Sequence, residues 1–213
     1  MTRLVLATRN QGKIAELRDI LAGLRAADGS GVEVVGLAEF PDAPEVPETE
    51  ATFAGNALLK ARAIAAHTGL PAVADDSGLC VDALNGMPGV LSARWSGRFG
   101  EATGDKDRAN LDLVLDQLAD VAAPHRGAAF VCAAALVLPG GAEHCVEGRL
   151  RGRLLDAPRG TGGFGYDPIF LPEGETRTSA EMAPEEKNAI SHRGRAFRDL
   201  AALLPEALAA TSR

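Results

Sequence analysis

Residues 70–82 constrain the fold most, because this segment starts as a buried strand and then carries three polar side chains in a row. An apolar run at 72–74 follows a proline. Such uninterrupted apolar runs are common in strands that are covered on both faces. Asp75, Asp76 and Ser77 come next. Neighbouring side chains on a strand point to opposite faces, so we expect the two aspartates to reach different partners. The alternative is a turn in which one aspartate caps free backbone amides.

The length and the charge of the chain limit what it can bind. A chain of 213 residues with 46% hydrophobic content buries a sizeable core, and we expect one domain over residues 1–213. Only 4% of the residues are aromatic, so the core must be built from aliphatic side chains. The net charge of -7 argues against broad binding to a nucleic-acid backbone, which requires a basic surface. An anionic ligand would need a local cluster of cations.

Cysteine spacing and hydropathy predict a cytoplasmic protein. Cys80, Cys132 and Cys145 lack the paired spacing of a metal site, and three thiols cannot all pair with one another. The apolar N-terminal run ends at residue 7, which is too short for a signal sequence. No apolar run is long enough to span a membrane.

Strands and helices alternate along the chain. Apolar runs indicate strands, and apolar residues three or four apart indicate helices. We predict strands at 3–7, 32–37, 128–138, 144–150 and 169–171, helices at 52–67 and 105–118, a short helix or extended arm at 90–95, and two helical pieces within 179–204.

The first polar cluster follows the first strand and precedes a helix. Free backbone amides at a helix N-terminus favour phosphate, and Lys13 adds a cation close by. The spacing is not that of a Walker loop. In the alternative, Thr8 or Asn10 caps the helix and Lys13 is solvated, and the loop taken by itself favours this alternative.

The second cluster is an acidic, proline-rich loop at 40–50 and the helix that follows it. Its three prolines make the loop extended and stiff. Asn56 and Lys60 lie one turn apart on the helix. Glu48 would then hold a carboxylate over a cleft shared with these two side chains. The alternative is that they form an ordinary solvated face.

The remaining clusters lie near the C-terminus. The loop 160–168 has four glycines, which allow a ligand to approach the main chain closely. A flexible hairpin loop would explain the glycines but not Phe164, Tyr166 and the Asp-Pro ending. His192 and Arg193 fall in the first turn of the closing helix, where a cation opposes the helix dipole. A purely structural role for them is therefore disfavoured unless an anionic or carbonyl ligand compensates.

Together, these clusters resemble the Ham1-like family of non-canonical purine nucleoside triphosphate pyrophosphatases. They occur in the order found in the family and span nearly the whole chain. The sequence departs from the family pattern at Glu50, where glycine is frequent, and at Gly55, where an acidic residue is common. The matching stretches are Thr8-Arg9-Asn10-Gln11-Gly12-Lys13, Glu48-Thr49-Glu50-Ala51-Thr52-Phe53 with Asn56 and Lys60, Ala74-Asp75-Asp76-Ser77-Gly78-Leu79, Gly163-Phe164-Gly165-Tyr166-Asp167-Pro168, and Glu186-Lys187-Asn188-Ala189-Ile190-Ser191-His192-Arg193.

The resemblance implies an elongated, mixed α/β fold with a long central mixed sheet flanked by helices and a cleft between two lobes. It also implies a homodimer, dependence on Mg²⁺, and hydrolysis of ITP, dITP and XTP to the monophosphate and pyrophosphate. Glu48 and Asp76 offer the hard oxygen ligands that suit Mg²⁺. We expect Asp76 also to accept a proton from the attacking water, and Ser77 to position a phosphate.

The resemblance also supplies a set of substrate-binding residues. Lys13 and Lys187 would neutralise the phosphates. Arg193 or His192 would donate to the oxygen at position six of the base, and Phe164 and Tyr166 would stack on the base or shape its pocket. The full set is Thr8, Arg9, Asn10, Gln11, Gly12, Lys13, Ser77, Phe164, Gly165, Tyr166, Asp167, Lys187, His192 and Arg193.

Three other functions remain open from the sequence. One is a pyrophosphatase for other modified nucleotides, such as methylated ones. Another is a nucleotide-binding protein without catalysis, against which the intact Glu48, Asp76 and Lys13 argue. The third is a simple phosphatase that releases orthophosphate.

Overall fold

Six strands form a mixed sheet in this computed structural model, which describes residues 2–9, 11–21, 23, 25–26 and 29–209, and all of their side chains except those at 11, 12, 16 and 17. The strands are β1 (Thr2–Leu6), β2 (Val32–Gly36), β3 (Ala72–Val81), β4 (Gly127–Val137), β5 (Glu143–Leu154) and β6 (Phe170–Pro172). Their order across the sheet is β2-β1-β3-β4-β5-β6. β1 runs parallel to both β2 and β3, whereas β6 runs antiparallel to β5.

The helices in the described residues include those that were predicted and one, α3, that was not. They are α1 (Gln11–Ile20), α2 (Phe53–Thr68), α3 (Gly97–Thr103), α4 (Lys106–Gln117), α5 (Pro184–Ile190) and α6 (His192–Ala209). α2 and α4 agree with the predicted helices to within one residue at each end. The segment predicted as a short helix or arm at 90–95 is a 3-10 helix, Gly89–Arg94. The fold is therefore mixed α/β, with helices packed on the sheet.

The strand β3 is longer than the apolar run predicted, and the turn interpretation is wrong. β3 continues through both aspartates to Val81. Its second half is closely covered, because a Cβ at Gly78 would lie only 2.4 Å from the backbone oxygen of Gly89 and from Oγ of Ser92. Ser92 Oγ accepts a hydrogen bond from the Leu79 amide at 2.9 Å, and this bond fixes the second half of the strand. Glycine at 78 permits that close approach.

The contacts of the chain divide it into two compact units. The first unit contains Met1–Asp76, Cys132–Gly148 and Arg193–Arg213, and the second contains Ser77–Val131 and Arg149–His192. The first unit has two apolar clusters, rich in alanine, leucine and valine, with Phe197 fully buried in one of them. The second unit has one cluster, which includes Tyr166 and Phe170. Within the described residues, no helix is long and apolar enough to cross a membrane.

Candidate active site

The first unit contains a cavity of about 570 Å³, a size that accommodates a small-molecule ligand. β1 and β3 are parallel, and Leu6 pairs with Val73, so the loop after β1 lies beside Asp75 within β3. The carboxyl ends of parallel strands are the usual ligand sites of α/β sheets. The cavity is lined by Ala7, Thr8, Arg9, Lys13, Leu37, Pro44, Glu45, Val46, Pro47, Glu48, Lys60, Ile64 and Asp75.

Asp75 is the most strongly held acid in the cavity. Its side chain is 3% exposed, and its Oδ2 atom accepts hydrogen bonds from Lys13 Nζ at 2.8 Å and from Arg193 Nε at 3.4 Å. Burial acts to raise the pKa of Asp75, but the charges of Lys13 and Arg193 outweigh burial and lower this pKa to about 2. Asp75 is therefore ionised at neutral pH. Because Lys13 is paired with Asp75, the interpretation of Lys13 as a solvated side chain is wrong.

The hydrogen bond from Arg193 to Asp75 also explains how a cation is accommodated at the start of α6. A cation in the first turn opposes the helix dipole, and we expected a ligand to compensate it; the Asp75 carboxylate of the protein itself does so for Arg193. Arg193 is itself buried, so this compensation takes place away from water. Burial, followed by the charge of Asp75, also raises the pKa of the Cys132 thiol, which stays protonated.

Asp76 faces a different set of partners, as expected for neighbouring residues on a strand. Its Oδ2 atom accepts a hydrogen bond from Asn56 Nδ2 at 2.9 Å. Its Oδ1 atom lies 3.8 Å from Lys60 Nζ, and the same Nζ atom donates to Glu48 Oε1 at 2.8 Å. Glu48 and Asp76 are therefore both held by one ammonium group. The expectation that loop 40–50 brings Glu48 beside Lys60 of α2 is confirmed, and Asn56 of the same helix binds Asp76.

Two carboxylates around one cation form a donor set that a divalent ion can also use. In the part of the chain that the structure describes, no group of three or more His, Cys, Asp or Glu side chains is close enough to hold a metal ion. A hard cation that keeps several water ligands needs only one or two carboxylates, as Mg²⁺ usually does. Glu48 and Asp76 therefore fit Mg²⁺ better than a metal such as Zn²⁺, which is usually held by three or four protein ligands.

The polar loop after β1 contributes unevenly to the cavity. Thr8 and Arg9 line it, and Arg9 Nη2 donates to the backbone oxygen of Ala43 at 3.0 Å. Gln11 and Gly12 form the start of α1, but their side chains lie outside the described part of the structure. Asn10 also lies outside the described residues. The predicted helix N-terminus beside the cavity is therefore present, because α1 begins at Gln11.

The glycine-rich loop belongs to the second unit, where two carboxylates hold consecutive backbone amides. Asp167 Oδ2 accepts a hydrogen bond from the Phe164 amide at 2.8 Å, and Asp107 Oδ2 accepts one from the Gly165 amide at 2.9 Å. Lys187 Nζ donates to Asp167 Oδ2 at 2.5 Å and lies 4.7 Å from the centre of the Phe164 ring. The Phe164 side chain is 63% exposed. The loop is thus held by side-chain hydrogen bonds at two consecutive amides and presents an aromatic ring to solvent.

Tyr166 lies in a different environment from Phe164. Its side chain is 5% exposed within the apolar cluster of the second unit, and its hydroxyl donates to the backbone oxygen of Ser92 at 2.8 Å. Burial and the charge of Asp107 raise the pKa of the Tyr166 hydroxyl, so it remains a neutral donor. In this position its ring is part of the apolar cluster under the loop, whereas the Phe164 ring is exposed.

His192 and Ser77 complete the predicted set. His192 is the first residue of α6, and its ring stacks on Phe130 with centroids 5.1 Å apart. Ser77 directly follows Asp76 on β3 and is partly buried.

Some residues of the cavity were absent from the predicted set. Asp75 and Lys60 line it, and Asn56 orients Asp76. The adjacency of Asp75 to Asp76 and the one-turn spacing of Asn56 and Lys60 were visible signals. Asp107 gave no signal in the sequence, because its partner is a backbone amide 58 residues away.

The fold and the cavity define a class of protein. A pocket at the carboxyl ends of parallel strands, with lysines, buried acids and a helix N-terminus around it, suits a phosphorylated ligand and a hard metal ion. The Ham1 family model matches residues 4–203 of the chain.

Individual relatives extend over nearly the full length. The dITP/XTP pyrophosphatase of Streptomyces coelicolor is 64% identical over 208 residues, which are 98% of this chain and 100% of the relative. A solved HAM1 protein from Coxiella burnetii is 41% identical, with a TM-score of 0.85 over 96% of this chain and 98% of that one. The nucleoside-triphosphatase, or dITP/XTP pyrophosphatase, of Mycobacterium abscessus is 56% identical, with a TM-score of 0.76 over 96% of this chain and 100% of that one. The chain therefore belongs to the Ham1 family.

Proposed function

We propose that this protein hydrolyses non-canonical purine nucleoside triphosphates, namely dITP, ITP and XTP, to the nucleoside monophosphate and pyrophosphate. Full-length relatives named dITP/XTP pyrophosphatase support this substrate class. The observation that carries the proposal is the charged cavity of the first unit. Lys13, Glu48, Lys60 and Asp75 come from four separate segments of the chain and line one pocket.

The charges of the cavity suit a triphosphate. In a protein with a net charge of -7, a polyanion needs local cations and free amides. Lys13 and the N-terminus of α1 provide both. Asp75 keeps Lys13 and Arg193 in place, because its carboxylate binds both cations. In this proposal Lys187 contacts phosphate as well, and Ser77 positions one phosphate group.

We assign Glu48 and Asp76 as the residues that hold Mg²⁺. The ion, when bound, would neutralise phosphate charge and polarise the phosphoryl group. Lys60 lies between the two carboxylates and balances their charge. Two protein carboxylates leave room for water and phosphate oxygens around the ion.

In the reaction, Asp76 acts as the general base. Its Oδ2 atom accepts a hydrogen bond from Asn56, which fixes the orientation of the carboxylate. Asp76 accepts a proton from a water molecule whose oxygen bonds to the α-phosphorus. The bond from the α-phosphorus to the bridging oxygen breaks, and pyrophosphate leaves with that oxygen.

In this proposal, hydrogen-bond donors that face position six of the base select which purine is bound. Inosine and xanthine carry an oxygen at position six, which a donor such as Arg193 or His192 binds. Adenine places an amino group there, so two donors would face each other, and this costs far more than a change of shape. Phe164, exposed and held by its loop, is the ring that we assign to stacking.

We further propose that the protein is a cytoplasmic homodimer. Cys80, Cys132 and Cys145 are free thiols, as is usual in a reducing compartment. The dimer rests on the family resemblance.

A substrate panel with separate detection of pyrophosphate and orthophosphate tests the function. We expect Mg²⁺-dependent release of pyrophosphate from dITP, ITP and XTP, with much lower rates for ATP. Asp76→Asn should lower kcat by at least about a hundredfold, because general-base catalysis contributes about 10²–10⁴-fold. Asp112→Asn, on the exposed face of α4, is the control. Orthophosphate as the direct product, a preference for methylated nucleotides, or unchanged turnover in Asp76→Asn would each contradict the proposal.

A further inference from the structure

Asp107 lies outside every cluster that the sequence singles out, yet it holds the glycine-rich loop. It is in the first turn of α4, and its Oδ2 atom accepts the hydrogen bond of the Gly165 amide at 2.9 Å. We propose that Asp107 is a positioning residue for nucleotide binding, which fixes the loop that presents Phe164. This inference rests on the function proposed above, in which Phe164 stacks on the base.

The loop depends on two carboxylates from different parts of the chain. The Phe164 amide is bound by Asp167, which belongs to the loop itself, and the next amide is bound by Asp107. Gly163 and Gly165 have φ angles of 71° and 59°, which bend the chain so that both amides find an acceptor. Hydrogen bonds to a charged acceptor are about twice as strong as neutral ones. Asp107 is thus the anchor that ties the loop to a helix.

The anchoring matters because Phe164 is exposed. Its ring is in contact with Lys187 on one face, and its backbone is held on both sides. A ring that is already ordered loses little freedom when a base stacks on it, whereas a mobile ring must be ordered during binding. Loss of Asp107 should therefore weaken binding rather than slow the chemical step.

A role confined to the stability of α4 is the competing explanation, since an acid in the first turn of a helix is favourable. Asp105 already caps this helix, because its side chain accepts a hydrogen bond from the Arg108 amide at 3.0 Å. Asp112 offers a matched control, because it lies on the same helix and pairs with Arg108 Nε at 2.7 Å, a contact outside the loop.

The first experiment compares the kinetics of Asp107→Ala, Asp107→Asn and Asp112→Ala with dITP. We expect Asp107→Ala to raise KM about fivefold with kcat within about twofold, since ordering one side chain accounts for an effect of this size. Asp107→Asn keeps an oxygen acceptor and should restore KM to nearly the parent value. An unchanged KM in Asp107→Ala, an equal rise in Asp112→Ala, or a fall in kcat alone would overturn the inference.

The second experiment does not depend on activity. Hydrogen exchange at the Gly165 amide, measured at single-residue resolution, should accelerate in Asp107→Ala and stay at the parent rate in Asp112→Ala. If exchange accelerates but the parent protein hydrolyses none of the purine triphosphates, the proposed function fails while the anchoring stands. If the parent is active and exchange is unchanged in Asp107→Ala, the inference about Asp107 is wrong.

Discussion

At the scale of single residues, the buried Asp75 carboxylate organises the cavity. It is bound by two cations, Lys13 and Arg193, that come from opposite ends of the chain. Removing one member of a buried ion pair is costly, because the remaining charges stay buried without compensation. Asp75 therefore holds the architecture of the site even though it is not assigned a step in the reaction.

Asp75→Asn should lower the free energy of unfolding at neutral pH by about 3 kcal/mol. The folded pKa of about 2 lies below the ordinary value of 3.8, so the stabilising contribution is present above about pH 4. It is lost as the pH falls towards 2. The difference between the parent and Asp75→Asn in urea unfolding should therefore shrink over that interval.

Glu143→Gln serves as the control for this series. Glu143 pairs with Arg62 on the exposed surface, where an ion pair contributes little. A gap between parent and Asp75→Asn that stays constant from pH 6 to pH 2 would contradict the assignment of Asp75 as an ionised, buried acid.

At the scale of elements, the start of α2 accounts for both departures from the family pattern. A Cβ placed on Gly55 would lie 2.7 Å from Cβ and 3.0 Å from Cγ of Glu50. The side chain of Glu50 therefore occupies the space that a side chain at position 55 would need. A glutamate at position 50 therefore favours a glycine at position 55, because a side chain at 55 would clash with it.

Gly55→Ala should lower the free energy of unfolding by about 1 kcal/mol, although alanine is the better helix former, because the added methyl group overpacks the site. Combined with Glu50→Gly, the same change should be neutral or stabilising. A double-mutant cycle by urea unfolding measures the coupling, which we expect to be about 1 kcal/mol or more. Strictly additive effects would show that the two positions are independent.

The predictions from sequence succeeded where a local pattern determines the structure. The helix α2 was placed to within one residue, because its cap Thr52, its apolar spacing and Gly69 all act locally. The pairing of Asp75 with Lys13 and Arg193 was missed, since these partners lie far away from β3 in the chain. No local signal reveals such partners, and the same limit applies to Asp107 and Tyr166.

At the scale of the whole molecule, β3 and β4 pass from one compact unit to the other. β3 leaves the first unit at Asp76 and enters the second at Ser77, and β4 passes between the units at Val131 and Cys132. Each strand has buried apolar residues in both units, for example Val73 and Leu79 of β3. Unfolding one unit would remove the packing around the part of each strand that belongs to that unit.

We therefore expect the chain to unfold as one cooperative domain, and each unit carries its own reporter. Trp95, the only tryptophan, belongs to the second unit and packs beside its apolar cluster. Cys132 is fully buried in the first unit. In urea, the fluorescence of Trp95 and the alkylation of Cys132, followed by peptide mass spectrometry, should give the same midpoint. Two separate midpoints would mean that shared strands do not couple the units, and that residues 1–213 form two domains rather than one.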